Sequence, residues 1–175
     1  MPSYYTYLIS SLPMLSFGAK PPFSLEGFLE VCSRSVKHTE LEKVREAINI
    51  LDYKVLPQDS GVLKKWRIFN LSLRSELAHA RAGRKKIDPL RYITKDIYVS
   101  SSISHAAMAA YRNHNILEAE KSLDFTRWLF LEEISLGHYF DTDFLIIYAL
   151  KLKILIRWDK INNADKESLL REAVS

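Results

Sequence analysis

The sequence is poor in the residues that staple, bend or cross-link a chain. It has one cysteine, Cys32, among 175 residues. A lone cysteine excludes an internal disulfide framework and any zinc site built from several thiolates. Five glycines and six prolines are too few for an all-β protein with many tight turns. Long apolar runs are missing as well. The longest in the C-terminal part, Phe144–Leu150, has seven residues before Lys151, Lys153 and Arg157 interrupt it. That is far short of a membrane span. No basic start of a secretory signal is visible, and Pro13 interrupts the first apolar stretch, so a reducing cytoplasm is the expected setting.

Catalytic signatures are equally scarce. There is no Gly-x-Ser-x-Gly, and Gly18-Ala-Lys20 lacks the spacing of a phosphate-binding loop. Cys32 falls on the inward side of a predicted helix, which suits an inert core thiol better than a nucleophile. His105 and His114 are nine positions apart on an Ala-rich helix and point in roughly opposite directions. The densest polar cluster is 137-GHYFDTDF-144, preceded by Glu132 and Glu133. The two glutamates are adjacent and so diverge by about 100° around a helix. At most one of them would face His138. No catalytic, metal-binding or cofactor-binding residue is expected.

What is present is helix. The composition is 47% hydrophobic and 26% charged, enough to bury a proper core. Met1–Leu15 is rich in tyrosine and is compatible with a short strand or an aromatic helix. SFGAKPPFS reads as a loop. Ser24 caps a predicted helix from Leu25 to about Val36. Thr39 and Glu42 have capping-box spacing, with Leu41, Val44, Ile48 and Leu51 inward. A longer helix is predicted from Val62 to Ala82, with Gly83 as its left-handed stop. RKK at 84–86 reads as a basic loop, Asp88-Pro89 as a helix start, and 92–104 as an irregular link. Ile103–Arg112 reads as a short helix. Asn115 opens another that runs to about Ser135.

In this frame GHYFDTDF is a joint. Gly137 stops one helix, Asp141 caps the next, and Asp143 complements its dipole. Tyr139 and Phe140 are expected to anchor the corner in the core, and His138 to be partly exposed. The last helix, Asp143 to about Ile161, is apolar nearly all round and is followed by a polar tail. The expectation is one all-α domain over 1–175, a compact multi-helix bundle. Residues 1–23 are its aromatic segment and loop, and a long apolar C-terminal helix lies at its centre.

Charge is unevenly spread. Between Lys64 and Lys95 ten basic residues face two acids, a local excess of +8, while the rest of the chain carries −4. Arg67, Arg74 and Arg81 recur every seven residues and continue into Arg84, Lys85 and Lys86. Such a row suits an acidic protein surface or nucleic acid. Exposed aromatics or a groove-reading helix pair, which nucleic-acid binding usually adds, are not evident.

Three stretches carry a resemblance. YYTYLISSLPMLSFGAKPPFSLEGFL is similar to the Tyr-rich start and Pro-Pro-Phe loop of a bacterial family encoded beside V/A-type ATP synthase genes. WRIFNLSLRSELAHARAGR and FLEEISLGHYFDTDFLIIYALKLKILIRW resemble further segments of it. That family is a distant relative of the C-type central-stalk component of these rotary ATPases, whose eukaryotic counterpart is the d-type component. The C-type component is usually longer and built of repeated helical parts, so this chain resembles a reduced form. The resemblance implies an all-helical, non-catalytic adaptor without cofactor, linking the central shaft to the proteolipid ring. It would be peripheral on the membrane through a complex and not inserted. Tyr4 and Tyr5 from the aromatic start, with the basic row, are the expected partner-binding residues. The alternative is a nucleic-acid-binding or other protein-interaction module using 64–95.

Overall fold

A computed structural model describes residues 4–50, 53–57, 59, 61–85 and 100–174, with backbone alone for 84–85 and 165–174. Among these residues there are seven helices and no strand. They gather into two compact units, Met1–Ile50 with Ser135–Ser175, and Leu51–Ile134.

The first unit holds α1 (Thr6–Ser11), α2 (Leu25–Ser33), α3 (His38–Ile48) and α7 (Thr142–Val174). The tyrosine-rich start is therefore helix. Tyr5, Leu8 and Ile9 are buried, and Tyr4 and Tyr7 face out. Gly18 takes a left-handed turn at φ 80° before Pro21-Pro22. Ser24 then caps α2 by accepting the Gly27 amide at 3.1 Å. Phe28, Cys32, Val44, Leu145, Ala149 and Leu152 are fully buried where α7 meets α2 and α3. Sealing off a large aliphatic or aromatic side chain contributes about 1.5–3 kcal/mol, so this seam is the main stabilising element of the unit. Phe23 and Phe28 stack on Tyr148 with ring centroids 6.2 and 5.3 Å away. The Tyr148 hydroxyl donates to the Pro13 carbonyl at 2.7 Å and ties α7 to the chain leaving α1. Lys153 on α7 donates to the Ile48 carbonyl at 2.6 Å. It supplies a cation to the C-terminal end of α3, where carbonyls lack helical partners.

Two helix limits in this unit differ from the sequence expectation. The Thr39–Glu42 capping box does not form: α3 begins two residues earlier, with Lys37 at the cap position and no side-chain cap. Thr39 is therefore already inside the helix. The tail after Asn162 is not separate either, because α7 continues to Val174. Residues 162–174 contain no Gly or Pro, so nothing in the local chemistry ends the helix.

The second unit packs α4 (Gly61–Lys85) against α5 (Ser101–Arg112) and α6 (Ile116–Ile134). Val62, Trp66, Phe69 and Leu73 on α4 are buried, as are Leu123, Trp128, Leu131 and Ile134 on α6. Ala107 and Ala110 present α5 as a small-residue face. Asn115 caps α6 by accepting the amides of Leu117 and Glu118 at 3.0 and 3.2 Å. Phe69 and Phe130 stack nearly parallel with centroids 4.0 Å apart.

One buried polar contact of the second unit crosses from α4 to α6. Fully buried Asn70 donates to the Trp66 carbonyl and accepts from Arg127 Nε at 3.0 Å. Arg127 in turn meets buried Asp124 at 2.7 Å.

Gly83 lies within α4 and is not among the glycines with positive φ, so it does not stop the helix. Glycine permits the left-handed conformation but does not compel it. Ser101 and Ser102 open α5, which shortens the expected irregular link. Residues 92–99 of that link, the Asp88-Pro89 start and Lys86 lie outside the described residues.

Candidate functional site

The joint between α6 and α7 is built as its residue types dictate. Gly137 takes φ 91°, a conformation that glycine alone adopts without strain. Asp141 Oδ1 accepts the Phe144 amide at 2.9 Å and caps α7. The other Asp141 oxygen lies 2.6 Å from His138 Nδ1, and Asp143 lies 3.8 Å from the same nitrogen. His138 is partly exposed, as expected.

Tyr139 and Phe140 are not core anchors. They are 63% and 39% exposed. The aromatic buried at this end of the unit is Tyr5, contributed by the N-terminal segment. Its backbone amide donates to the Phe140 carbonyl at 2.6 Å. Its hydroxyl donates to Glu40 on α3, and Glu40 Oε2 also accepts the Thr142 hydroxyl at 2.6 Å. One carboxylate thus joins the N-terminal segment, α3 and the start of α7. The Tyr-rich start and the GHYFDTDF corner, far apart in sequence, form one braced junction. It leaves Tyr4, Tyr139 and Phe140 open to solvent.

The residues expected to meet a partner are dispersed. Tyr4 is exposed, while Tyr5 is buried in the junction just described. Arg67 lies inside, its Nε 3.1 Å from Asp59, and it also donates to the Lys54 carbonyl. It therefore does not share the solvent face expected for the basic row. Arg74 is exposed, its guanidinium 5.1 Å from the centre of the Tyr53 ring, and Arg81 is exposed. Arg84 and Lys85 extend α4, and Lys86 lies outside the described residues.

Cys32 has no accessible surface, and burial pushes its thiol up to about 12. Burial, with the neighbouring Cys32, raises the Tyr148 hydroxyl to about 12 as well. Glu76 and His79 have Glu-x-x-His spacing on α4, which sequence reasoning passed over; the spacing itself was the available signal. Among the described residues no group of three or more His, Cys, Asp or Glu is placed to hold a metal ion.

Each unit also holds a concavity among its described residues. One in the second unit, about 660 Å³, has Ile68, Phe69, Ile103, Leu129, Phe130 and Ile134 as its apolar lining, with Lys65 and Glu133 among its polar groups. Sequence reasoning missed it, because its lining residues come from three helices. The other, about 250 Å³, lies between the Gly18–Lys20 turn and Trp158, Asp159, Asn162 and Asn163. No described helix is long and apolar enough to cross a membrane.

The fold is thus all-helical, and its most built feature is a braced, outward-facing aromatic corner. Residues 105–175 match the model of a family described as a protein of unknown function, DUF2764. The match contains the GHYFDTDF corner and α7. Neither a curated protein nor a solved structure matches the chain. The family's description names no activity or partner.

Proposed function

We propose that this chain is a non-catalytic helical adaptor, similar to the C-type central-stalk component of V/A-type ATPases, that links a central shaft to a membrane ring. One observation carries the reading. Two of the motifs behind the resemblance are joined through Tyr5, Phe140, Glu40 and Thr142, and together they display aromatic side chains outward. An adaptor needs stiff helices and surfaces of this kind, since interfaces draw on aromatic anchors. A buried thiol and a helix-capping aspartate explain residues that would otherwise suggest chemistry.

The test is a mild-detergent pull-down of the tagged chain from its own cells, with retained proteins identified by mass spectrometry. Co-purification of shaft and ring proteins of the ATPase, reduced by Tyr4→Ala with Tyr139→Ala, supports the adaptor. Their absence sinks it.

A second reading is favoured by charge. Leu51–Ile134 carries fourteen Lys and Arg against ten Asp and Glu, and the remainder balances, so the whole net charge of +4 belongs to the second unit. With Arg74 and Arg81 exposed, that unit suits nucleic acid or an acidic protein. Binding to duplex or single-stranded nucleic acid that weakens steeply with salt and is lost in Arg74→Glu with Arg81→Glu supports this alternative.

A further inference from the structure

We propose that the aromatic corner of the first unit seats a basic, arginine-bearing segment of a partner protein. The inference rests on the corner being the adaptor's contact face and adds the chemistry of what it contacts.

Exposure comes first. Tyr4 is 69% exposed and Tyr139 63%, and both lie within one residue of the Tyr5–Phe140 backbone bond. Large rings left open at a braced junction are available to stack.

Charge selects what stacks. Glu40, Asp141 and Asp143 are gathered at the same junction, with His138 between the two aspartates. The Asp141 and Asp143 side chains keep 27% and 28% of their surface, so each retains an edge toward solvent. Carboxylates beside open rings repel an acidic peptide, a phosphate backbone or anionic lipid, and they attract cations.

A guanidinium satisfies both features. Its plane lies over an aromatic face while its fork of N–H donors reaches a carboxylate. Lysine offers a point charge and less stacking. The chain itself uses the same contact elsewhere: Arg74 lies over Tyr53, and Arg157 lies 5.9 Å from the centre of the Trp158 ring.

The junction is also rigid enough to present this chemistry without much ordering cost. Glu40 and the Tyr5 amide bond hold the aromatic start against the corner. The backbone that carries the rings is then already ordered, and the entropy lost on binding is that of the rings and the partner side chain.

The experiment titrates the full chain, labelled with nitrogen-15, with three peptides of one length and one Gly-Ser background. They carry Arg, Lys or Glu at the same positions. The Arg peptide is expected to shift the amides of residues 4–7 and 138–143, the Lys peptide to bind several-fold more weakly, and the Glu peptide not to bind. Raising the salt should weaken the Arg peptide. Removing both exposed rings, in Tyr4→Ala with Tyr139→Ala, should weaken it about tenfold, as the loss of cation–π contacts predicts. Both rings are solvent-facing, so an unchanged amide spectrum elsewhere certifies the fold. Equal binding of the Glu peptide, shifts confined to the second unit, or indifference to the double substitution would each overturn the proposal. If the cellular pull-down depends on Tyr4 and Tyr139 while the Arg peptide does not bind, the contact face stands and the basic partner falls. If neither depends on them, both fall.

Discussion

Glu40 and Thr142, 102 positions apart, meet at 2.6 Å, and the carboxylate oxygen that accepts the Thr142 hydroxyl also accepts the Tyr5 hydroxyl. Three stretches of chain are thereby held by one acceptor. The arrangement makes Glu40 the simplest single change by which to release the N-terminal segment.

Glu40→Ala is expected to destabilise the first unit by about 1–3 kcal/mol, since two donors lose a charged partner in a half-buried site. Glu40→Gln keeps one acceptor oxygen and should cost less. Denaturant melts give the magnitude. Hydrogen exchange supplies the location: the Ile9 amide, which donates to the Tyr5 carbonyl, should lose protection before those of α7.

Arg67 and Asp59 form a buried pair at 3.1 Å, with side chains 6% and 0% exposed. Removing one member leaves the other charge uncompensated in the interior. Arg67→Ala is therefore expected to cost about 3–5 kcal/mol, whereas Arg81→Ala, at the exposed end of the same row, should change stability by less than about 0.5 kcal/mol. Urea melts of the two variants separate them. The contrast also means that charge-reversal tests of the second unit should spare Arg67, because its loss would be a folding effect.

How far the sequence was legible follows from the range of each interaction. Local chemistry was readable. Ser24, Asn115, Gly137 and Asp141 act where their side chains or backbone freedom predict, because a cap is decided within a few residues. Helix faces were readable too, since Phe28, Cys32, Trp66, Leu73 and Leu131 repeat at helical spacing and are buried. The Thr39 cap failed within its own window, but the misreadings of burial needed information from elsewhere in the chain. Tyr139 and Phe140 look like core residues in their own window, but Tyr5 occupies the interior there. Arg67 looks like a surface residue, but Asp59 draws it inward. Gly83 shows the reverse limit: it allows a helix to stop, and neighbours that favour helix carry the chain past it.

Alkaline pH should unfold the first unit through its core thiol and phenol. Burial pushes Cys32 from its ordinary value near 9 up to about 12, and Tyr148 from 10 up to about 12. For both groups the folded state holds the proton more tightly than the unfolded state. Stability is therefore intact below pH 9 and falls as pH rises from 9 toward 12. Cys32→Ala should move the onset up to about pH 10, the ordinary value of the remaining Tyr148 hydroxyl, while half-buried Lys153, whose ammonium burial pulls below its ordinary value, acts in the opposite direction. Thermal melts from about pH 7 to about pH 11 test the sign and the onset. The same burial predicts that a thiol reagent labels Cys32 in the native chain only as fast as the unit opens, which urea should accelerate.

The corner itself makes the last prediction, because its two halves fail differently. Gly137 has φ 91° with open space around a built-in Cβ, so an alanine there meets no neighbour and suffers only the backbone penalty. Gly137→Ala should cost about 1–2 kcal/mol. Asp141 has two duties, accepting the Phe144 amide and pairing with His138. Asp141→Asn keeps the capping oxygen and loses the charge, while Asp141→Ala loses both. If the cap dominates, Asn should retain most of the stability and Ala should cost about 0.5–2 kcal/mol. If the imidazole contact dominates, both variants should fall together, and His138→Ala should cost as much as either. Melts of the two Asp141 variants and of His138→Ala decide between the two, and the cap is the expected winner, since it replaces a bond that an amide at the start of α7 would otherwise lack.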